Sequence, residues 1–149
     1  MAVACADCRR QQSAIGALAA RGVRLTGLRR DVLDVLHHAR KPLGAYDLYE
    51  VLKYDDRASA PPAVYRVLDF LVGQGLAHKL QTVGAYTACH CEPGTHQAIF
   101  HICRNCRTVA ESAAGDELAA LGDRTSAIGF RAEHLTVEIT GLCRDCAQP

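Results

Sequence analysis

The chain has 149 residues, is 49% hydrophobic and 22% charged, and carries a formal net charge of +1, a balance ordinary for a soluble globular protein. No apolar run approaches the length of a membrane span. The start, MAVACADCRRQQ, lacks the charged-then-apolar pattern of a secretory leader, so export is not expected and the cytoplasm is the expected location.

The charge is uneven. Residues 1–80 hold 12 Lys+Arg against 8 Asp+Glu, a net of +4, and residues 81–149 hold 5 against 8, a net of −3. A basic front half suits nucleic-acid binding even in a near-neutral chain, although +4 over eighty residues is also ordinary for a solvated surface. Eight cysteines in a chain that is not exported point to metal binding or thiol chemistry rather than disulfides.

The front half reads as successive short helices. Ser13 to Ala20 is Ala-rich, with Ile15, Leu18 and Ala19 on one face. VRLTGLRRDVLDVLHHA follows, with Leu28, Val32, Leu33, Val35, Leu36 and Ala39 forming a helical stripe. Thr26 is placed to cap this helix, and Lys41-Pro42 stops it. AYDLYEVLK turns Leu48, Val51 and Leu52 inward and leaves Glu50 and Lys53 as an exposed pair. After the polar stretch DDRASAPP, the helix APPAVYRVLDFLVGQGL tolerates two prolines in its first turn. It buries Val64, Val67, Leu68 and Leu71, leaves Tyr65, Arg66 and Asp69 outward, and ends at Gly73 and Gly75.

LAHKLQTVGAYTAC reads as a hairpin. With Val83-Gly84 as a two-residue loop, Leu80 faces Thr87 and His78 faces Cys89, within reach of one metal ion. Helices followed by a hairpin outline a winged helix-turn-helix, in which the helix before the hairpin enters the major groove. HCEPGTHQ is then a polar hinge. AIFHIC and RTVAES read as strands joined at CRNC, GDELAALGDRTSAIGF as a helix with Gly129 at its C-terminal end, and HLTVEITGLC as a strand with Leu135, Val137 and Ile139 on one face. The fold class is therefore α+β: a winged helix-turn-helix domain over 1–89, a hinge over 90–97 and a small α/β domain over 98–149. The thin core of the last calls for a metal staple or a partner chain.

The sharpest chemical signal is the pair CRNC (Cys103, Cys106) and CRDC (Cys143, Cys146). Each CxxC sets two thiolates on a tight turn, and two such turns make a tetrahedral four-sulfur site for Zn²⁺. The 36 residues between them exceed a zinc-ribbon spacing but hold a helix and a strand, so both turns can meet at one end of a sheet. A redox role needs a CxxC at a helix N-terminus, whereas both of these follow strands. His78, Cys89, His96 and Glu111, with His90 nearby, form a second set, suited to zinc by mixed N, S and O donors; the residues alone leave open whether these are ligands or ordinary polar groups. His90-Cys91-Glu92 before a CxxC resembles a zinc deaminase signature, but Ile102 stands where that signature has Pro, and only ten residues separate Glu92 from Cys103. Cys5 and Cys8 form a third CxxC before the first helix, in a stretch expected to be loosely ordered.

RLTGLRRDVLDVL, AYDLYEVL, PPAVYRVLDFLVGQGLAHKL, CRNC and GLCRDC together resemble the ferric uptake regulator family, and best its zinc uptake regulator branch, over nearly the whole chain. The hinge, with Cys89, His90 and His96 in place of a His-rich run, carries the branch. The resemblance implies a homodimeric, zinc-responsive repressor, not an enzyme. It would bind palindromic operator DNA when regulatory zinc is bound and control zinc uptake and homeostasis genes, with no membrane partner and no small-molecule substrate other than zinc. It implies two Zn²⁺ per chain: a structural ion on Cys103, Cys106, Cys143 and Cys146, and a regulatory ion on His78, Cys89, His96 and Glu111. It implies DNA contacts from Tyr65 and Arg66, supported by Tyr46 and Arg29, and makes the 98–149 domain the dimerisation domain. LTGLR and PPAVYR depart from the family's usual LTPQR and PPTVYR: Gly27 loses a stiffening Pro, and Ala63 loses a hydroxyl. The alternative class is a zinc-dependent deaminase-like or thiol-redox enzyme.

Overall fold

The structure is a computed structural model that describes residues 6–54, 60–90, 98–132 and 135–148. The chain divides into two compact units, Met1–Gly94 and Thr95–Pro149.

The first unit holds helices α1 (Ala6–Ala20), α2 (Gly27–His38), α3 (Ala45–Lys53) and α4 (Pro61–Gly73), then strands β1 (Ala77–Leu80) and β2 (Ala85–Ala88). Helix α1 begins seven residues before the expected Ser13, because ADCRRQQ has no apolar face to betray it; Cys8 thus lies on helical backbone, and Cys5 falls outside the described residues. On α2, Val32, Leu33 and Leu36 are buried, and Thr26 occupies the cap position without making a side-chain cap bond. On α3, Leu48 and Leu52 are buried, whereas Val51, expected inward, is 51% exposed: the i, i+4 pair defines the inner face and Val51 lies beyond its edge. The Glu50–Lys53 pair forms at 2.6 Å on the surface, where solvent screening leaves such a pair little net effect on stability.

Helix α4 has Pro61 and Pro62 in its first turn and buries Val64, Val67, Leu68 and Leu71, as its spacing predicts. These side chains join Leu33, Leu36, Leu48 and Leu52 in one hydrophobic cluster. Leu68 is fully buried, so Leu68→Ala is expected to destabilise this unit by about 2–5 kcal/mol, read as a lower midpoint in denaturant unfolding.

The hairpin pairs Leu80 with Ala85, His78 with Thr87 and Ala77 with Ala88. The turn is therefore four residues, 81–84, with Gly84 at φ +61°, and the expected two-residue loop is not formed. A two-residue loop would need Val83 in the left-handed region, which a β-branched residue resists; the longer turn leaves that conformation to Gly84. Leu43 bonds both ways with Tyr86, at 3.0 and 2.8 Å, adding a third short rung. Packed helices followed by this hairpin make a winged helix-turn-helix.

In the second unit, β3 (Ala98–Cys103) and β4 (Val109–Ala113) form an antiparallel hairpin. Helix α5 (Asp116–Ala127) leads to β5 (Val137–Gly141), which lies parallel to β3 on its other side, giving the order β4-β3-β5. Alternation along β3 buries Ala98, Phe100 and Ile102, and Leu118 of α5 is also buried. Gly129, at φ +77°, lies just past the C-cap Ile128. Val137 and Ile139 pair with Ile99 and His101, on the face opposite Phe100. They are half-buried and 47% exposed respectively, so the described residues leave the apolar face of β5 largely open. A one-turn helix, α6 (Arg144–Ala147), not expected from sequence, follows β5.

Candidate metal centre and nucleic-acid face

Two tight turns bring the four thiols of the second unit together. Cys103 is the last residue of β3. The chain then turns through Arg104–Cys106, and Arg107 adopts φ +64° while its N–H donates to the Cys103 carbonyl at 2.9 Å. A left-handed conformation at a non-Gly residue costs on the order of 1 kcal/mol, an expense met where the geometry of the turn demands it. The Arg104 N–H donates to the Gly141 carbonyl at 2.9 Å, tying this turn to the end of β5. Cys143 is the N-cap of α6 and Cys146 lies within it, joined by a Cys146 N–H to Cys143 carbonyl bond of 3.1 Å. The expectation that Cys143 ends a strand is thus corrected. CRDC opens a short helix, and the case against a redox pair rests instead on all four thiols converging.

The four sulfurs lie within 4.8 Å of one another, and Cys106 Sγ stands 3.7 Å from Cys143 Sγ. A tetrahedral Zn²⁺ with Zn–S of about 2.3 Å sets its sulfurs about 3.8 Å apart, so the cluster fits that ion. The surroundings favour thiolate at one end. The Cys103 thiol is held down to about 6, first by the Cys106 backbone and next by the Cys143 N–H, which reaches its sulfur at 3.4 Å. The Thr108 hydroxyl, 2.9 Å from Cys106 Sγ, lowers that thiol. Cys146 is pushed up to about 11: the Asn105 side chain favours its thiolate, but the Cys143 thiol, burial and the other two thiols outweigh it. Four thiolates this close would repel one another; a divalent cation held by them would offset that repulsion and so favour loss of the last thiol proton. Asn105 and Thr108 are not expected from sequence; a hydroxyl two residues past a CxxC is the signal that could have marked Thr108.

Of the other expected ligands, His78 and Cys89 belong to the first unit and Glu111 to the second. His78 on β1 and Cys89 just past β2 are both half-buried, with ligand atoms within 4.8 Å. Cys89 N–H donates to the Leu76 carbonyl at 2.9 Å. Cys89 therefore lies diagonal to His78, not opposite it, yet both project from one face because the register differs by two residues. Glu111 on β4 pairs with Phe100, which sets its carboxylate on the apolar face of that sheet. His96 lies outside the described residues, as do Cys91 and Glu92 of the deaminase-like stretch. The His90 ring is 5.5 Å from that of His37.

On the first unit, Tyr65 is half exposed, Arg66 and Asp69 are exposed, and all three line the outer side of α4. Among the described residues Arg66 makes no ion pair, so the salt bridge to Asp69 that its spacing allows is not formed. Tyr46, 62% exposed, begins α3 beside the Tyr49 ring. Arg29 on α2 is half-buried, its guanidinium 3.5 Å over the ring of Phe70. No helix among the described residues is long and apolar enough to cross a membrane.

The profile of the ferric uptake regulator family matches residues 20–140. The chain is 35% identical over 131 residues to the zinc uptake regulation protein of Escherichia coli (strain K12), covering 87% of this chain and 77% of that one. It superposes on the crystal structure of holo XcZur with a TM-score of 0.84 at 38% identity, over 93% of this chain and 97% of that one. It superposes on a zinc uptake regulator complexed with zinc and DNA with a TM-score of 0.86 at 34% identity, over 93% of each.

Proposed function

The chain belongs to the ferric uptake regulator family, and from that premise we propose that it is a zinc-responsive repressor that binds palindromic operator DNA as a homodimer and governs genes of zinc uptake and homeostasis. The observation that carries this reading is the likeness, over 93% of the chain, to a regulator solved with both zinc and DNA. It is a regulator acting in the cytoplasm rather than an enzyme. Neither a deaminase nor a dithiol oxidoreductase accounts for a winged helix and a four-thiol cluster in one chain.

In this reading residues 1–89 bind DNA, 90–97 form the hinge and 98–149 dimerise. Each chain holds two Zn²⁺. Cys103, Cys106, Cys143 and Cys146 keep the dimerisation domain folded around the structural ion. His78, Cys89, His96 and Glu111 hold the regulatory ion, drawing ligands from the wing, the hinge and β4, so that zinc sets the angle between the domains. The open apolar face of β5 and the exposed Ile128 and Phe130 give the second copy a surface to cover.

Two recognition helices then meet successive major grooves, about 34 Å apart. Tyr65 and Arg66 face the DNA from α4 and Tyr46 from the start of α3. Arg66 can pair bidentately with a guanine, a discrimination of about 1–3 kcal/mol. Arg66→Ala is expected to weaken operator binding by a corresponding 5–150-fold or so while zinc content and dimerisation persist; unchanged affinity would remove Arg66 from the interface. The reading as a whole is tested by metal analysis combined with zinc-titrated binding to palindromic duplexes. Two zincs per chain, with duplex binding lost on mild chelation, is the expected result. Binding indifferent to zinc would sink it.

A further inference from the structure

We infer that Arg29 is a positioning residue for the recognition helix, acting through a face-on stack with Phe70, and not the direct DNA contact that the family resemblance implies. The inference rests on the reading of α4 as the helix that meets DNA.

Arg29 is the third residue of α2. Its guanidinium carbon stands 3.5 Å from the Phe70 ring centroid, well inside the roughly 6 Å reach of a cation–π contact. Its Nη1 makes a long hydrogen bond, 3.4 Å, to the Arg24 carbonyl. One side chain thereby links the loop before α2, the first turn of α2 and the last turns of α4. Phe70 lies four residues beyond Arg66, so the two share a side of α4 one turn apart. Both partners are half-buried, where part of the charge is desolvated and the contact is stronger than at a free surface.

The start of α2 needs such a tie. Thr26 occupies the cap position without a side-chain bond. Gly27 follows, where a proline would fix the backbone, and it pays the largest entropy on ordering. The stack supplies from a neighbouring helix the rigidity that the local sequence omits. Loosening it lets α4 shift against α2, which misplaces Arg66 and Tyr65 relative to base edges while leaving the phosphate-facing charge of the domain largely intact.

This separates a positioning role from a phosphate contact. The test uses full-length, zinc-loaded protein and two duplexes: a palindrome enriched from a random library by the wild-type chain, and an unrelated duplex of equal length. Arg29→Ala, Arg29→Lys, Phe70→Leu and the double variant Arg29→Ala/Phe70→Leu are compared over a range of salt concentrations, below the melting temperature of each. Arg29→Ala and Phe70→Leu are each expected to lower palindrome affinity about 2–30-fold, with little change on the unrelated duplex and no change in salt slope. The double variant should be no worse than either single one, because both remove the same contact. Lys, which lacks the planar stacking face, should fall between wild type and Ala. Equal losses on both duplexes with a salt slope reduced by about one, and a silent Phe70→Leu, would establish a phosphate contact and overturn the positioning role. Variants that all match wild type would overturn it too. A wild-type chain that enriches no palindrome with zinc would instead overturn the functional reading on which it rests.

Discussion

Replacing Cys103 by serine is expected to strip one zinc per chain and unfold the second unit, leaving the winged-helix unit folded. Cys103 is both a cluster thiol and a core residue, only 3% exposed at the end of β3. Around it the apolar core is small: Phe100, Ile102 and Leu118 are its principal large buried side chains. Structural zinc contributes on the order of 10–16 kcal/mol in zinc-finger peptides, which is comparable to the whole stability of an ordinary domain, about 5–15 kcal/mol. A unit with so thin a core cannot forgo that contribution. The first unit has its own cluster of Leu and Val side chains and should keep its helical signal. Metal analysis, sedimentation and thermal unfolding would together read the outcome: one zinc fewer, a monomer, and one transition lost. A variant with wild-type zinc content and an intact dimer would show that the four thiols are not the structural site.

The second large effect concerns the proposed regulatory site. Cys89→Ala is expected to make operator binding unresponsive to zinc, at the level of the zinc-depleted wild type, without loss of the dimer or of the structural ion. A coupling of 1–3 kcal/mol, the usual allosteric range, corresponds to about 5–150-fold in operator affinity. The thiolate is the softest donor in the proposed set, and its removal should weaken zinc most. By linkage, operator DNA must tighten regulatory zinc by the same factor that zinc tightens DNA. Fluorescence anisotropy in zinc buffers measures one side and competition with a zinc chelator the other. If the variant titrates as the wild type does, Cys89 is not a regulatory ligand.

The parts of this fold legible from sequence are those where one physical rule dominates. Helix α4 declares itself because Val64, Val67, Leu68 and Leu71 repeat at helical spacing and are all buried. Cys103 and Cys143 are legible as partners because a thiol pair on a tight turn has few other uses. Helix α1 is legible only in its second half, since its first half lies on a helix without an apolar stripe. Val51 reads as inward by hydrophobicity alone, and tertiary context overrides that for a residue at the edge of a stripe. The hairpin is the instructive case. Its register is displaced by two residues, so His78 opposes Thr87 instead of Cys89. Side chains in a strand alternate with period two, so this displacement keeps both on the same face. A displacement of one would have sent them to opposite faces. The stack of Arg29 on Phe70 is not legible at all: 40 residues separate the two, and no local pattern links them.

The parallel pairing of β5 with β3 has a consequence for how the chain is made. Ile99 pairs with Val137, and Cys103 pairs with Gly141, so neither the sheet nor the cluster can close until nearly forty further residues have been synthesised. At about 5–20 residues per second that is a wait of roughly 2–8 s. The winged-helix unit, whose contacts lie earlier in sequence, has by then been fully synthesised. During that interval Cys103 and Cys106, half of the proposed four-thiol site, stand without their partners. If the four thiols hold zinc as proposed, the ion can close the cluster only once the last turn of the chain has been made, so metal supply late in synthesis is expected to bear on how much of the second unit reaches its folded form.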